Sequence, residues 1–411
     1  MNASPSKPTA ADDKKMAAML AMLVALMPLS IDTYLPAIPA MAHDLNADIH
    51  RIEQSLSLFL FGVAAGQVFG GTVSDIKGRR PVALAGLVVY AAGVLGLLLV
   101  QTGSQLLVLR VVQAFGAGMT VVIVGATVRD RYQGREAAQM FALIGIILMS
   151  VPLLAPALGA LLQSLGGWRL VFGFLMLYAA GIGWLLWRKM PKPESVGCIG
   201  RGVFADVVGR YRRVLGTRPA LGYLFFQAFS FSSMFSFLTE SPFVYMKLYG
   251  VSTHDYGWLF ALNVVTMASF NRITAWRLKS GTHPQQILKA GILVQFAANL
   301  VLLLSVAVLE LPPLWMLAAC VMFSVGTQGL VTANTQACFM GYFSKESGSA
   351  NAVLGVSQSV IGASMGLLAT WLHNGSAIVM ACMMFVSTTL GIMLLWLFSH
   401  QAWALNSVRE P

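Results

Sequence analysis

The chain is written in long apolar runs, broken at short and regular intervals by polar turns. A helix crosses the hydrocarbon of a bilayer with about 20 apolar residues. Runs of that length predict membrane helices over 16–37, 54–74, 82–101, 104–127, 138–163 and 168–188. A longer polar interval follows, and then runs at 220–245, 255–276, 287–309, 313–338, 349–372 and 375–398. The eighth is the least apolar, carrying Asn263 and ending near Asn271 and Arg272. The pattern predicts an all-α polytopic membrane protein of twelve transmembrane helices. A bundle at 16–188 and a bundle at 220–398 flank a central loop at 189–219, with short tails at 1–15 and 399–411.

Composition supports this class. Hydrophobic residues make up 57% of the 411 and charged residues only 10%, with a mean hydropathy of +0.72. Soluble domains carry about 25% charged residues, so this chain could not clothe a globular surface. The first run follows Lys14 and Lys15 as a secretory signal would. It lacks a small-residue cleavage site before a polar mature chain, and reads as the first membrane helix.

The net charge of +11 changes the picture only through its placement. Basic residues gather in alternate loops: Lys77, Arg79 and Arg80; Arg129, Arg131 and Arg135; and a central group including Arg201, Arg210, Arg212 and Arg213. Lys345 and Arg409 fall on the same side, whereas the opposite side holds only Arg51, Arg169 and Lys247. The positive-inside rule then places both termini in the cytoplasm. No folded module accompanies the central basic group, so nucleic acid is not an expected partner. The four cysteines, Cys198, Cys320, Cys338 and Cys382, show no CxxC spacing. The histidines sit in loops or at span ends in no paired motif, so neither a metal site nor a cofactor is indicated. With no nucleophile–base set the chain does not read as an enzyme, and with no repeated filter sequence it does not read as a channel. Two equal bundles suggest an alternating-access transporter.

The candidate chemistry is a charge inside an apolar span. Asp32, in SIDTYLPAIPAM, lies about 24 Å along the first helix from Met16 and about 7 Å from its far end near Ala37. Arg110 lies about 9 Å into the fourth span, which enters from the same far side. The two opposite charges therefore fall at similar depth. Each alone would cost about 2.5–3.5 kcal/mol to insert, and such charges face a bundle interior or water path and pair there. Two readings stand: a static structural pair, or a carboxylate that exchanges a proton while Arg110 modulates it. Gln113 lies one turn from Arg110 on the same face. Pro36 and Pro39 are expected to end the first span.

Motifs then point to a family. GTVSDIKGRRPVAL, from Gly71 to Leu84, resembles the signature loop between helices 2 and 3 of the major facilitator superfamily, with Gly71, Asp75, Gly78, Arg79 and Arg80 in register. Gly71 would permit close helix approach and Gly78 a tight turn. LVLRVVQAFGAGM resembles the helix 4 motif of drug/proton antiporters, with Arg110, Gln113, Gly116 and Ala117 in place and Ala114 where glycine is common. SIDTYLPAIPAM, SPFVYMKLYGVS and NRITAWRL are similar to the bicyclomycin and chloramphenicol resistance branch. The resemblance covers roughly residues 20–400 and implies the major facilitator fold.

It further implies proton-coupled efflux of a small amphipathic or drug-like substrate by a monomer in a bacterial inner membrane; export or import of a metabolite is the alternative. Pro152, Pro156 and Gly159 resemble the proline–glycine motif of helix 5 without its strict form, and read either as a conformational gate or as close packing. Glu240 stands where relatives carry a neutral residue, as an acid at the outer mouth or as a second titratable site. Tyr34, Phe61, Asn334, Gln336, Asn351 and Gln358 are candidates for the substrate path. The phenylalanines of the seventh span, among them Phe231, Phe235 and Phe237, are expected mostly to face lipid or core.

Overall fold

A computed structural model describes residues 10–132, 134–190, 209, 211–343 and 347–405. Residues 1–9, most of the central loop (191–208, with Arg201, and Arg210), Lys345 and Arg409 lie outside the described residues. In the first half α1 (Ala10–Asp32) and α2 (Ile38–Asp44) precede α3 (Ile49–Lys77), α4 (Arg79–Leu98), α5 (Gly103–Arg131), α6 (Gly134–Gly166) and α7 (Trp168–Lys189). In the second, α8 (Arg218–Ser241) is followed by α9 (Thr253–Lys279), α10 (Pro284–Leu309), α11 (Leu314–Gly326), α12 (Gln328–Met340), α13 (Ser347–Leu372) and α14 (Ile378–Leu405). α8 runs on into a π-helical segment, Pro242–Leu248, and α11 and α12 join at Thr327.

Among the described residues, eleven helical stretches are long and apolar enough to cross a membrane. The twelfth long helix is α9, whose Asn263, Arg272, Arg277 and Lys279 dilute its hydropathy. Its 27 residues extend about 40 Å, and it packs on α6, α11 and α12 as part of the bundle.

The first traverse corrects one expectation. Pro36 and Pro39 do not end it. The helix breaks after Asp32, passes through a single 3-10 turn at Leu35–Ala37, and resumes as α2 to Asp44. Each proline sits in the first turn of its short helix, where a missing N–H costs no hydrogen bond. The break therefore falls at the buried carboxylate rather than beyond it.

The two ends of the bundle are tied separately. At the charge-poor end Arg169 Nη1 lies 3.6 Å from Asp44, Trp168 Nε1 donates to Asp44 at 2.9 Å, and Arg51 donates to Ser104 at 2.8 Å. At the basic end Arg79 Nε donates to Asp130 at 2.9 Å and its Nη1 to Ser74 at 2.7 Å, while Arg80 donates to the Trp187 carbonyl. Gly78 joins α3 to α4 at φ +90°, a conformation glycine adopts freely. Asp75 lies on α3 one turn before it.

Close helix approach is set by other glycines than Gly71. A Cβ on Gly62 would stand 2.7 Å from Ala114 Cβ, one on Gly66 would meet the Phe115 carbonyl, and one on Gly70 would stand 2.7 Å from Met119 Cα. These three share one face of α3 at four-residue spacing, the small-residue stripe that lets membrane helices touch. A Cβ on Gly71 would meet Val122 at an ordinary 3.5 Å. One residue of offset turns a side chain by about 100°, away from α5. The halves, α1–α7 and α8–α14, meet along two helix pairs, α3 with α13 and α6 with α9.

Candidate functional site

Arg110 is fully buried on α5, inside the first half. Its Nη1 donates to the Ser30 carbonyl at 3.1 Å and to Gln113 Oε1 at 2.8 Å. The guanidinium lies over the rings of Tyr34, at 4.4 Å, and Phe59, at 4.5 Å. Tyr34 is fixed in turn by Ser55 at 2.8 Å, and Ser30 by Tyr90 at 2.6 Å. Arg110 Nε and Nη2 have no hydrogen-bond partner. The charge is thus held by aromatic faces, the Ser30 carbonyl and the Gln113 amide oxygen, a desolvated arrangement in which each ring contact contributes about 2 kcal/mol.

Asp32 does not pair with it. Its carboxylate is 5% exposed and faces the other way, into a cavity of about 200 Å³ between the halves. The reason is angular. Ser30, which Arg110 binds, and Asp32 are two residues apart on α1, or about 200° around the helix. Similar depth therefore left the two charges on opposite faces, and the expected ion pair is absent in this conformation. Among the described residues no carboxylate pairs with Arg110.

The cavity is walled by both halves: Met27, Pro28, Ile31 and Asp32 of α1 and Pro152 of α6, against Phe231, Phe235 and Phe237 of α8 and Phe260, Asn263 and Met267 of α9. Among the described residues its only polar lining groups are Asp32 and Asn263. Both ends of the Asn263 amide are buried without a partner. A membrane interior rarely leaves an amide so, and the residue that carries it is part of the chamber lining. This is the composition of a small-molecule site: apolar walls with few convergent polar groups.

The predicted path residues lie elsewhere. Tyr34 and Gln113 belong to the Arg110 shell. Phe61 is half-buried against the main apolar core, which both halves share, and is not part of the chamber lining. Asn334 donates to its own helix at the Leu330 carbonyl, 2.7 Å, and Gln336 donates to Asn351 at 3.0 Å on an exposed surface. Gln358 is half-buried and off the cavity lining. Conversely, three phenylalanines expected to face lipid or core, Phe231, Phe235 and Phe237, form one wall. Phe231, Phe235 and Leu238 recur at three- to four-residue spacing, a face that periodicity could have marked.

The motif on α6 reaches the same place. Pro152 lines the cavity, and a Cβ on Gly159 would strike the Thr33 carbonyl, next to Asp32. Pro156 lies between them inside the helix. A second polar cluster sits at the charge-poor end. Glu240, fully buried, faces His373 with Oε2 3.1 Å from Nδ1, and Glu53, also fully buried, faces His50 with Oε2 2.7 Å from Nδ1. Glu53 escaped the sequence reading because the second span was drawn from residue 54; its place among buried Ile49, Ile52 and Leu56 was the available signal.

Two six-helix bundles around a central chamber, with a carboxylate on its wall, define a membrane transporter rather than an enzyme. Residues 20–367 match the Major Facilitator Superfamily, and the chain belongs to that family. A bicyclomycin resistance protein homolog of Haemophilus influenzae is 29% identical over 352 residues, 85% of this chain and 87% of the relative. A multidrug resistance protein MdtL of Citrobacter koseri is 31% identical over 84% of this chain and 85% of its own. A chloramphenicol resistance protein of Pseudomonas aeruginosa is 33% identical over 59% of this chain and 57% of its own. These relatives match the branch that the motifs resemble. Among solved structures, a D-xylose-proton symporter superposes with a TM-score of 0.70 over 93% of this chain and 98% of its own, at 12% identity, a likeness of fold.

Proposed function

We propose that this protein exports drug-like, uncharged or weakly charged small molecules by alternating access, driven by protons exchanged at Asp32. The observation that carries this reading is the chamber between the halves. Among the described lining residues it holds one carboxylate, Asp32, and one unpartnered amide, Asn263, within apolar and aromatic walls. Such walls suit an amphipathic ligand, and a carboxylate facing it can be neutral or charged as access alternates. Protonation removes the charge that opposes collapse of an apolar chamber, which links proton occupancy to closure. The names of the relatives, with their bicyclomycin, chloramphenicol and multidrug resistance, support this substrate class.

In this reading the basic end faces the cytoplasm of a bacterium, both termini lie there, and the protein acts as a monomer in the inner membrane. Arg110, with two unpartnered donor nitrogens, is the hydrogen-bond donor to Asp32 in a second conformation. Rotation or unwinding at the break after Asp32 would bring it there, with Pro152, Pro156 and Gly159 of α6 as the moving contact.

The test is transport in inside-out vesicles carrying an imposed proton gradient, with a panel of resistance substrates. Wild-type protein is expected to accumulate at least one of them and to lose it when the gradient is collapsed. Asp32→Asn, folded by gel filtration, is expected to retain binding and lose gradient-driven accumulation. Full gradient-driven transport by that variant would sink the assignment.

A further inference from the structure

The Glu240 cluster at the charge-poor end lies outside the chamber, and its composition suits a different ligand. We propose that His50, Glu240 and His373 form a binding site for a divalent transition-metal ion of the zinc type, and that the ion fastens the two halves together at this end.

The residues come from three separate elements. Asp48 caps α3 by accepting the His50 N–H at 2.8 Å, which sets His50 and Glu53 on the first turn. Glu240 lies at the end of α8 and His373 directly after α13. One donor atom from each of His50, Glu240 and His373 lies within 4.8 Å of the others. Donors sharing one tetrahedral zinc stand about 3.4 Å apart, from bond lengths near 2.1 Å, so small side-chain rotations close the set. The imidazole rings have centroids 3.3 Å apart and planes inclined by 30°, so sharing an ion requires them to turn their edges toward it.

Three further observations point to a cation. His373 Nε2 and Glu240 Oε1 are buried with no hydrogen-bond partner, so open donors exist at the site. Each histidine meets a carboxylate through Nδ1, His50 with Glu53 and His373 with Glu240. For His50, Glu53 on Nδ1 fixes the tautomer and leaves Nε2 as the free lone pair, the outer-shell arrangement common to metal-bound histidines, whereas Glu240, a ligand itself, must leave His373 Nδ1 to reach an ion on Nε2. Finally, Glu53 and Glu240 are electrostatic neighbours in a buried setting, and the ion-pair partners described for them are only the histidines. Asp48 adds a further negative charge nearby, and Lys247 is the cation within electrostatic reach, with its Nζ 5.6 Å from the Phe243 ring. A divalent ion would balance both buried carboxylates.

Phe243 closes the site. Its ring stands 4.8 Å from that of His50 and 4.4 Å from that of His373, and its N–H donates to Glu53 at 3.3 Å. Two imidazoles and one carboxylate leave a fourth position for water, a donor set that favours zinc, copper or nickel over magnesium. His50 belongs to the first half, and Glu240 and His373 to the second. The bound ion therefore holds this end shut until it leaves.

The experiment uses the full chain, purified without a histidine tag and stripped of metal, titrated with Zn²⁺ against a fluorescent zinc indicator. One equivalent is expected to bind per chain, with Mg²⁺ unable to compete. His50→Gln and His373→Asn, each checked for a wild-type gel-filtration profile, are each expected to weaken binding at least about tenfold. Spin labels on the exposed Asn46→Cys and Asn374→Cys, in a background freed of native cysteines, provide a readout independent of affinity. Zn²⁺ is expected to narrow and shorten their distance distribution. Absence of saturable binding would overturn the proposal. So would binding that survives unchanged in both histidine variants, or a label distance indifferent to zinc. None of these outcomes bears on whether Asp32 couples protons.

Discussion

Asn263 is a costly residue in its place. An amide buried without partners forfeits about 1–3 kcal/mol relative to a satisfied or apolar group, and both of its polar ends are in that state. Arg110 carries a related cost, with two of its three guanidinium nitrogens unpartnered. Groups left so in a packed interior mark positions kept for something other than stability. Asn263→Leu is therefore expected to raise the unfolding temperature of the detergent-solubilised protein while reducing transport. Loss of both stability and transport would indicate a structural role instead. Thermal scans beside vesicle uptake separate the outcomes. The sequence exposed these residues unequally. A carboxylate or arginine inside an apolar run stands out by its insertion cost, so Asp32 and Arg110 were legible at once. Their mutual orientation was not, because depth along a helix is readable from residue count while azimuth toward a third helix depends on packing. Asn334, Gln336 and Asn351 lie off the chamber lining for a similar reason: an amide on a membrane helix bonds its own backbone or a neighbour as readily as it lines a path.

At the scale of elements, α3 and α5 are locked by backbone contact. Gly62, Gly66 and Gly70 present bare backbone to α5, and Gly118 returns the contact against the Val63 carbonyl. Gly116 does the same toward α4, where a Cβ would clash with Gly86 and Tyr90. Adding one methyl in such a seam costs about 1–3 kcal/mol through forced separation. Gly66→Ala is expected to lower thermal stability by that order, whereas Gly71→Ala, whose new Cβ finds 3.5 Å of clearance, is expected to leave it unchanged. Equal effects from the two would refute the assignment of the seam. The stripe itself was written in the sequence as three glycines four apart. Attention to the loop motif selected its neighbour instead. Element existence, by contrast, was largely legible: most runs of about 20 apolar residues became a single helix, while the run at 313–338 is divided at Thr327 into α11 and α12. The exception in kind is the first traverse, where prolines at 36 and 39 were read as terminators, although proline at a helix start is a beginning.

At the scale of the whole molecule, the two halves differ in chemistry. The first carries Asp32, Glu53 and Arg110 in its interior, while the second, apart from Glu240, is knitted by neutral groups. Asn299 donates to Ser233 at 3.1 Å and to Thr388 at 2.8 Å, and Gln328 and Gln295 converge on Ser230 at 2.9 Å. These bonds tie α8 to α10, α12 and α14, although Gln295 Nε2 and Asn299 Oδ1 are left without a partner. Alternation then requires the seams between halves to part. One of them runs along α3 and α13, from Ser57 facing Gly366, through Leu60 facing Gly362, to Gln67, whose Oε1 would lie 3.7 Å from a Cβ on Gly355. This last position has room for a side chain where the other two do not. Gln67→Cys with Gly355→Cys, in a background freed of the native cysteines, should be bridged through two disulfides by a short bis-methanethiosulfonate. Transport is expected to stop on bridging and to return on reduction, with each single variant unaffected by the reagent. If the bridged protein continues to transport, the α3–α13 seam does not open during the cycle, and the two halves exchange access by a motion confined to α6 and α9.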